Sequence, residues 1–245
     1  MSLLFKFFLM FLLATSASYA QKIEGLGGLK IGMSYDDFHD WTVEEGYISL
    51  NDGIDGAERS RVKSKYIRIH DLQAGSGYAY GIYDNYLDGY HAYLVDEYSP
   101  SGVDIKKLML IFRRGKLIYM NPLGDMVSQK IVGAISAKYG DPIKKIKSKG
   151  YNCVYLLTGV DFYVKDKLTY YYWRDDSAVK AYHAELFSYG SDCQSRIRFE
   201  LVVQSSDFDK KKYDSENKKA ANKYLETVKS REAKEIRQST NLDEL

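Results

Sequence analysis

Helices packed on an antiparallel sheet, an α+β fold, are what this chain predicts, and three observations lead there. Two segments carry apolar residues at helical spacing between capping signals, at 34–46 and 127–142. Each is followed by segments rich in β-formers with two-residue alternation, so that a helix-then-strands pattern occurs twice and suggests two related halves. From Asp207 the composition turns to Lys, Glu, Asp and Asn, which reads as a charged C-terminal helix.

Residues 1–20 read as a secretory signal peptide. Lys6 precedes an apolar run from Phe7 to Leu13, and Ser18 and Ala20 place small side chains at the cleavage positions. The run is about half of the roughly 20 apolar residues that a membrane span needs. The mature chain is therefore expected to start at Gln21, to carry no membrane anchor after cleavage, and to work in the periplasm or as a secreted protein. The division that follows is an N-terminal α+β half over 21–122, a C-terminal α+β half over 123–206, and a loosely attached helical tail over 207–245.

Ser34 is a good N-cap, with Asp36 and Asp37 in the first turn where the helix dipole favours carboxylates. Tyr35, Phe38 and Trp41 form the apolar stripe of that helix, and Gly46 is placed to end it. A Gly-interrupted polar loop runs from Asn51 to Ser60. Partial alternation over 65–72 predicts a strand with one wet face. The segment 78–98 holds seven tyrosines among Gly and Asp and predicts two strand pieces around an Asp-Gly turn. A hairpin follows, with strands at 105–112 and 117–120 about an Arg113-Arg114-Gly115-Lys116 turn.

Val127, Ile131, Ala134 and Ile135 mark the second helix, which Gly140 and Pro142 terminate. Strands are expected at 167–174, 178–189 and 196–204; in the last, Ile197, Phe199, Leu201 and Val203 face inward. The tail carries a thin stripe of Ala221, Tyr224, Leu225 and Val228. Such a stripe gives a helix little to dock with.

With 35 Lys and Arg against 33 Asp and Glu the chain has no electrostatic footprint for nucleic acid. The two cysteines, Cys153 and Cys193, are expected to form a disulfide in an oxidising compartment. On the chain-entropy model, closing that loop contributes about 4 kcal/mol.

No zinc-protease, nucleophile-elbow, P-loop or zinc-finger spacing occurs, and neither a catalytic residue nor a cofactor or metal ligand is assigned. Gly75, Gly77 and Gly81 lack the strand and helix of a phosphate loop. The Asn51–Gly56 stretch has calcium-like oxygens but the wrong residues at the third and twelfth positions. His39, His70, His91 and His183 are scattered, and His70 and His183 fall on strands where an imidazole can face water. The paired acids Asp175 and Asp176 read as a turn. A non-enzymatic role is favoured on these negatives.

Tyrosine, with 23 copies, is the compositional outlier. It offers a large, rigid apolar face with a polar tip, suited to protein interfaces and to stacking on sugar rings. The candidate binding surface is Tyr78, Tyr80, Tyr83, Tyr86, Tyr90, Tyr170 and Tyr172. Alternation puts Tyr170 and Tyr172 on one strand face, with Tyr171 and Trp173 on the other.

Three fragments carry a resemblance. LKIGMSYDDF resembles the entry to the first helix of small exported bacterial modules of the beta-lactamase-inhibitor-protein type and of the SmpA/OmlA outer-membrane assembly lipoproteins. LMLIFRRGKLIYM is similar to the closing strand pair of such modules. AISAKYGDP resembles a helix ending common in uncharacterised exported bacterial proteins. The resemblance implies helices on an antiparallel sheet and a binding role, and carries over no functional residue. The expectation is an exported protein that binds an envelope or secreted protein through an aromatic sheet face, the alternative being a carbohydrate-binding or carbohydrate-processing protein.

Overall fold

The computed structural model describes residues 23–49, 68–73, 84–123, 129–155, 157–173 and 179–239. Residues 1–20 and 51–60, the glycines at 75, 77 and 81, Tyr78, Tyr80, Tyr83, Val127, Asp175 and Asp176 lie outside them. The described chain is α+β. A small hairpin, β1 (Gly25–Leu26) and β2 (Leu29–Lys30), leads into helix α1 (Tyr35–Glu44) and strands β3 (Ile48–Ser49), β4 (Arg68–Asp71), β5 (Tyr90–Tyr98), β6 (Ile105–Arg113) and β7 (Lys116–Pro122). Helix α2 (Gln129–Tyr139) precedes β8 (Ile143–Tyr155), β9 (Val160–Tyr172), β10 (Val179–Tyr189) and β11 (Ser195–Ser205), and helix α3 (Lys210–Ser239) closes the fold.

Nine strands form one sheet in the order β3-β4-β5-β6-β7-β11-β10-β9-β8, antiparallel except for the parallel edge pair β3–β4. The first helix forms as its caps dictate. The Ser34 hydroxyl accepts from the Asp37 N–H at 3.1 Å and the Asp37 carboxylate accepts from the Ser34 N–H at 3.2 Å, a reciprocal capping box. Gly46, at φ +75°, ends it where only glycine is unstrained.

Arg114 and Gly115 both take positive φ, which gives the β6–β7 turn the twist that antiparallel strands require. A bulge beside this turn shifts the register between Ile111 and Phe112. Its effect is visible in the burial: Leu117 and Met120 join one core, while Ile118 and Tyr119 both join the other.

Each face of the sheet has its own core. On one face Phe38 and Trp41 of α1 and Ile131 and Ile135 of α2 pack on Val95, Leu110, Phe112 and Leu201. The opposite face is covered by the start of α3, where Phe208 and Tyr213 pack on Met109, Ile111, Tyr119 and Val202. Burying an aromatic of this size contributes up to about 3 kcal/mol.

The tail is thus docked over its first turns, by residues outside the stripe expected of it. Tyr213 donates to the Asn85 Oδ1 at 2.9 Å, and the Asn217 amide both donates to the Asp84 carbonyl and accepts from the Tyr86 N–H, each at 2.7 Å. Tyr224 and Leu225 stay about half exposed, at 45% and 50%.

Three expectations need correction. The sequence reading has no strand at 143–155, yet β8 pairs with β9 along its whole length. Four lysines within seven residues mask its β-pattern, because an edge strand open to water on both faces needs no apolar alternation. Second, Ile197 is 54% exposed and Phe199 only half-buried, whereas Leu201 and Val203 are fully buried. The core ends near the middle of β11, so alternation persists in sequence beyond the cover that would use it. Third, His70 and His183 do not face water: they are buried, at 4% and 0% exposure.

Candidate functional site

Beyond the reach of α3, the sheet face that it covers continues across β10, β9 and β8. Tyr182 stands on β10, opposite Tyr172 of β9 and next to the buried Val202 of β11. Two-residue alternation puts Tyr170 and Tyr172 on the same face. The Tyr170 and Tyr172 rings lie 5.5 Å apart and nearly parallel, at 22°, and both contact the Tyr182 ring, at 6.3 and 6.2 Å. The three rings form one patch. Each is half-buried, so each keeps surface for a partner.

Lysines of β8 border the patch. The Lys145 ammonium lies 5.6 Å from the centre of the Tyr172 ring and that of Lys147 5.8 Å from the Tyr170 ring, within cation–π reach. Burial, followed by the nearby Glu200 carboxylate and the Tyr170 and Tyr172 hydroxyls, pushes the Tyr182 phenol well above its ordinary value. Burial, and then Tyr170, does the same to a lesser degree for Tyr172. Both stay protonated at neutral pH as hydrogen-bond donors. Burial also raises the Glu200 carboxyl, with the Lys210 ammonium drawing it back. More than a third of Glu200 is open to solvent, so screening keeps that shift modest.

The candidates named from sequence divide. Tyr170 and Tyr172 come together on the open patch. Tyr86 and Tyr90 are taken up against α3, through Tyr224 at 5.5 Å and Tyr213 at 5.2 Å between ring centres. Tyr78, Tyr80 and Tyr83 lie outside the described residues. Tyr182, Lys145 and Lys147 were missed. Tyr182 was within reach of sequence, since it sits on an expected strand, but the register that sets it beside Tyr170 and Tyr172 is a pairing between strands.

Cys153 and Cys193 form a disulfide across a Cα separation of 5.8 Å. It ties β8 to the β10–β11 turn, and Val164, Tyr151, Tyr155 and Tyr189 pack around it. Cys193 takes φ +58° inside that turn.

His183 has neither ring nitrogen hydrogen-bonded, and its Nε2 lies 3.7 Å from the Glu185 carboxylate. The His70 Nε2 contacts Asp96 Oδ2 at 2.9 Å. No group of three His, Cys, Asp or Glu among the described residues is placed to hold a metal ion. A crevice between α2 and the β1–β2 turn, lined by Leu26, Ile131, Ile135 and Leu201, has about 60 Å³ of room, enough for only a few waters, whereas an open groove of about 590 Å³ beside α3 is lined by Asp84, Tyr119, Glu200, Lys210 and Asp214. No described helix is long and apolar enough to cross a membrane. Compared with protein-family models, with curated proteins and with solved structures, the chain matches none of them.

Proposed function

We propose that this chain is an exported, non-enzymatic protein that binds another envelope or secreted protein through the open aromatic patch. The observation that carries the reading is the cluster of Tyr170, Tyr172 and Tyr182, half-buried and bordered by Lys145 and Lys147, on the part of the sheet that α3 leaves uncovered. Rigid aromatic rings with neutral hydroxyl tips are the side chains that contribute most per contact at protein interfaces. Export rests on the 1–20 leader, with which the disulfide is consistent. N-terminal sequencing of the native protein should read from Gln21, and a chain that still begins at Met1 overturns the export reading.

The finer architecture belongs to the same proposal. Two related halves, 21–122 and 123–206, each lay a helix on the same sheet face before a run of antiparallel strands, and a charged helical tail follows at 207–245. The likeness to small exported modules of the beta-lactamase-inhibitor-protein or SmpA/OmlA kind is of this sort.

A Tyr170→Ser/Tyr172→Ser double variant should fold as the parent does, because both rings are partly in water. Crosslinking in the native envelope should then lose at least nine-tenths of the partner captured by the parent. Undiminished capture overturns the reading. A carbohydrate ligand is the second reading, favoured by the three partly open aromatic rings of Tyr170, Tyr172 and Tyr182, since an exposed aromatic face can stack on a sugar ring. Loss of binding to immobilised glycans in the same variant would place it ahead.

A further inference from the structure

Strand β8 is the outer edge of the nine-stranded sheet, paired on one side to β9 over all 13 of its residues. Seven residues in a row, from Ile143 to Lys149, are exposed. Its other side therefore presents a row of backbone N–H and C=O groups with no strand against it among the described residues. Alternation places Lys145, Lys147 and Lys149 on the face of the tyrosine patch, about 7 Å apart in sequence order, and Lys144 on the opposite face. None of the four is in an ion pair among the described residues. Asp166, the acid nearest in register, already accepts from the Tyr151 hydroxyl and the Tyr189 N–H.

We infer that this edge takes up an extended acidic segment of the partner protein, with Asp or Glu at alternate positions, as a tenth strand. The inference rests on the aromatic-patch reading and names the chemistry of what sits beside it. Strand addition supplies the affinity through backbone pairing and the specificity through every second side chain. Carboxylates at two-residue spacing meet the Lys145, Lys147 and Lys149 ladder at the 4.5–5.5 Å that separates directly opposed side chains. A second copy of this chain is a poorer occupant, because an antiparallel β8–β8 pair centred on Lys147 in the exposed 143–149 stretch sets Lys145 against Lys149 and Lys147 against itself, and like charges directly opposed repel. The same lysines that keep copies apart select an acidic strand.

The test uses a labelled 13-residue peptide alternating Glu with Thr, read by fluorescence anisotropy against the full mature protein. Two further peptides of the same sequence are N-methylated, one at odd amides and one at even amides. A fourth has the same composition with its glutamates contiguous. The parent peptide should bind, one methylated set should lose at least tenfold in affinity while the other keeps it, and the contiguous peptide should bind at least tenfold more weakly. Lys145→Glu/Lys147→Glu should cost the parent peptide a further tenfold. The contrast between the two methylated sets supports strand addition, and the losses in the contiguous peptide and the lysine variant support recognition of alternating acids by the β8 lysines. No binding, or equal binding by both methylated sets, overturns the inference, the latter showing attraction by charge alone. A peptide that fails while envelope capture still depends on Tyr170 and Tyr172 overturns this inference and leaves the aromatic-patch reading standing.

Discussion

His183 is the residue whose chemistry fits its surroundings least. It is fully buried between the rings of Tyr171 and Phe199, 5.8 and 6.1 Å away, with neither ring nitrogen hydrogen-bonded and its Nε2 3.7 Å from the Glu185 carboxylate. Burial holds its pKa below the usual 6.5, opposed by Glu185, which in turn accepts from the Tyr171 hydroxyl at 3.3 Å. The sign of the pH dependence follows from that direction. Above pH 6.5 the imidazole is neutral in both states and adds no slope. As the pH falls below 6.5 the unfolded chain takes up a proton that the folded chain refuses, so stability is lost until the folded imidazole itself protonates. The melting temperature of the parent should therefore drop between about pH 7 and 5 by more than that of His183→Leu. The variant should be neutral or more stable at pH 7, since an apolar side chain removes two unmade hydrogen bonds. Parallel melting curves for the two proteins across that range would show that His183 does not couple protons to folding.

Strand β11 carries the argument to the scale of elements, because one alternating pattern runs through two environments. Leu201→Ala, at a fully buried site, should destabilise by about 2–5 kcal/mol in urea unfolding, while Ile197→Ser should stay within about 0.5 kcal/mol. Equal losses would show that the outer end of the strand is covered after all. The tail helix divides in the same way. Ending the chain after Ser230 should leave the melting temperature within about 2 °C. Ending it after Lys211 removes Tyr213 and Asn217 and should lower it by more than about 5 °C, the shift expected for a loss of 1–2 kcal/mol or more. Elements whose signals are local were legible: the Ser34 cap, the Gly46 and Gly140 stops and the Arg114-Gly115 turn are written in adjacent residues. What depends on distant cover was not legible. β8 looks like a polar loop because water is its solvent on both faces over 143–149, and the start of the tail docks through Phe208, Tyr213 and Asn217, which meet Tyr119, Asn85 and Asp84, each more than 80 residues earlier. The candidate site shows the same division, with the strands of Tyr170 and Tyr172 readable and their meeting with Tyr182 and the β8 lysines not.

At the scale of the molecule, two bonds of different kinds hold distant parts together. The Cys153–Cys193 disulfide joins β8 to the far end of the β10–β11 hairpin, and its removal in a Cys153→Ser/Cys193→Ser variant should cost up to about 4 kcal/mol. Thiol titration of the unfolded, unreduced protein should find no free thiol. The other bond is the seam between β7 and β11, where only Met120–Val203 and Tyr119–Gln204 are in register, extended by the Asn121 amide donating to the Leu201 carbonyl at 3.0 Å. Every other ladder in the large sheet apart from β3–β4 joins strands close in sequence, whereas this one closes a loop of about 80 residues. Folding should then run on two clocks. The β5–β7 and β8–β11 meanders form early from near-neighbour contacts, and their union waits on the slow search that brings Tyr119 to Gln204. Asn121→Ala should slow refolding more than it speeds unfolding if that union is the nucleus, and native-state hydrogen exchange should release the amides of the two meanders as two separate cohorts.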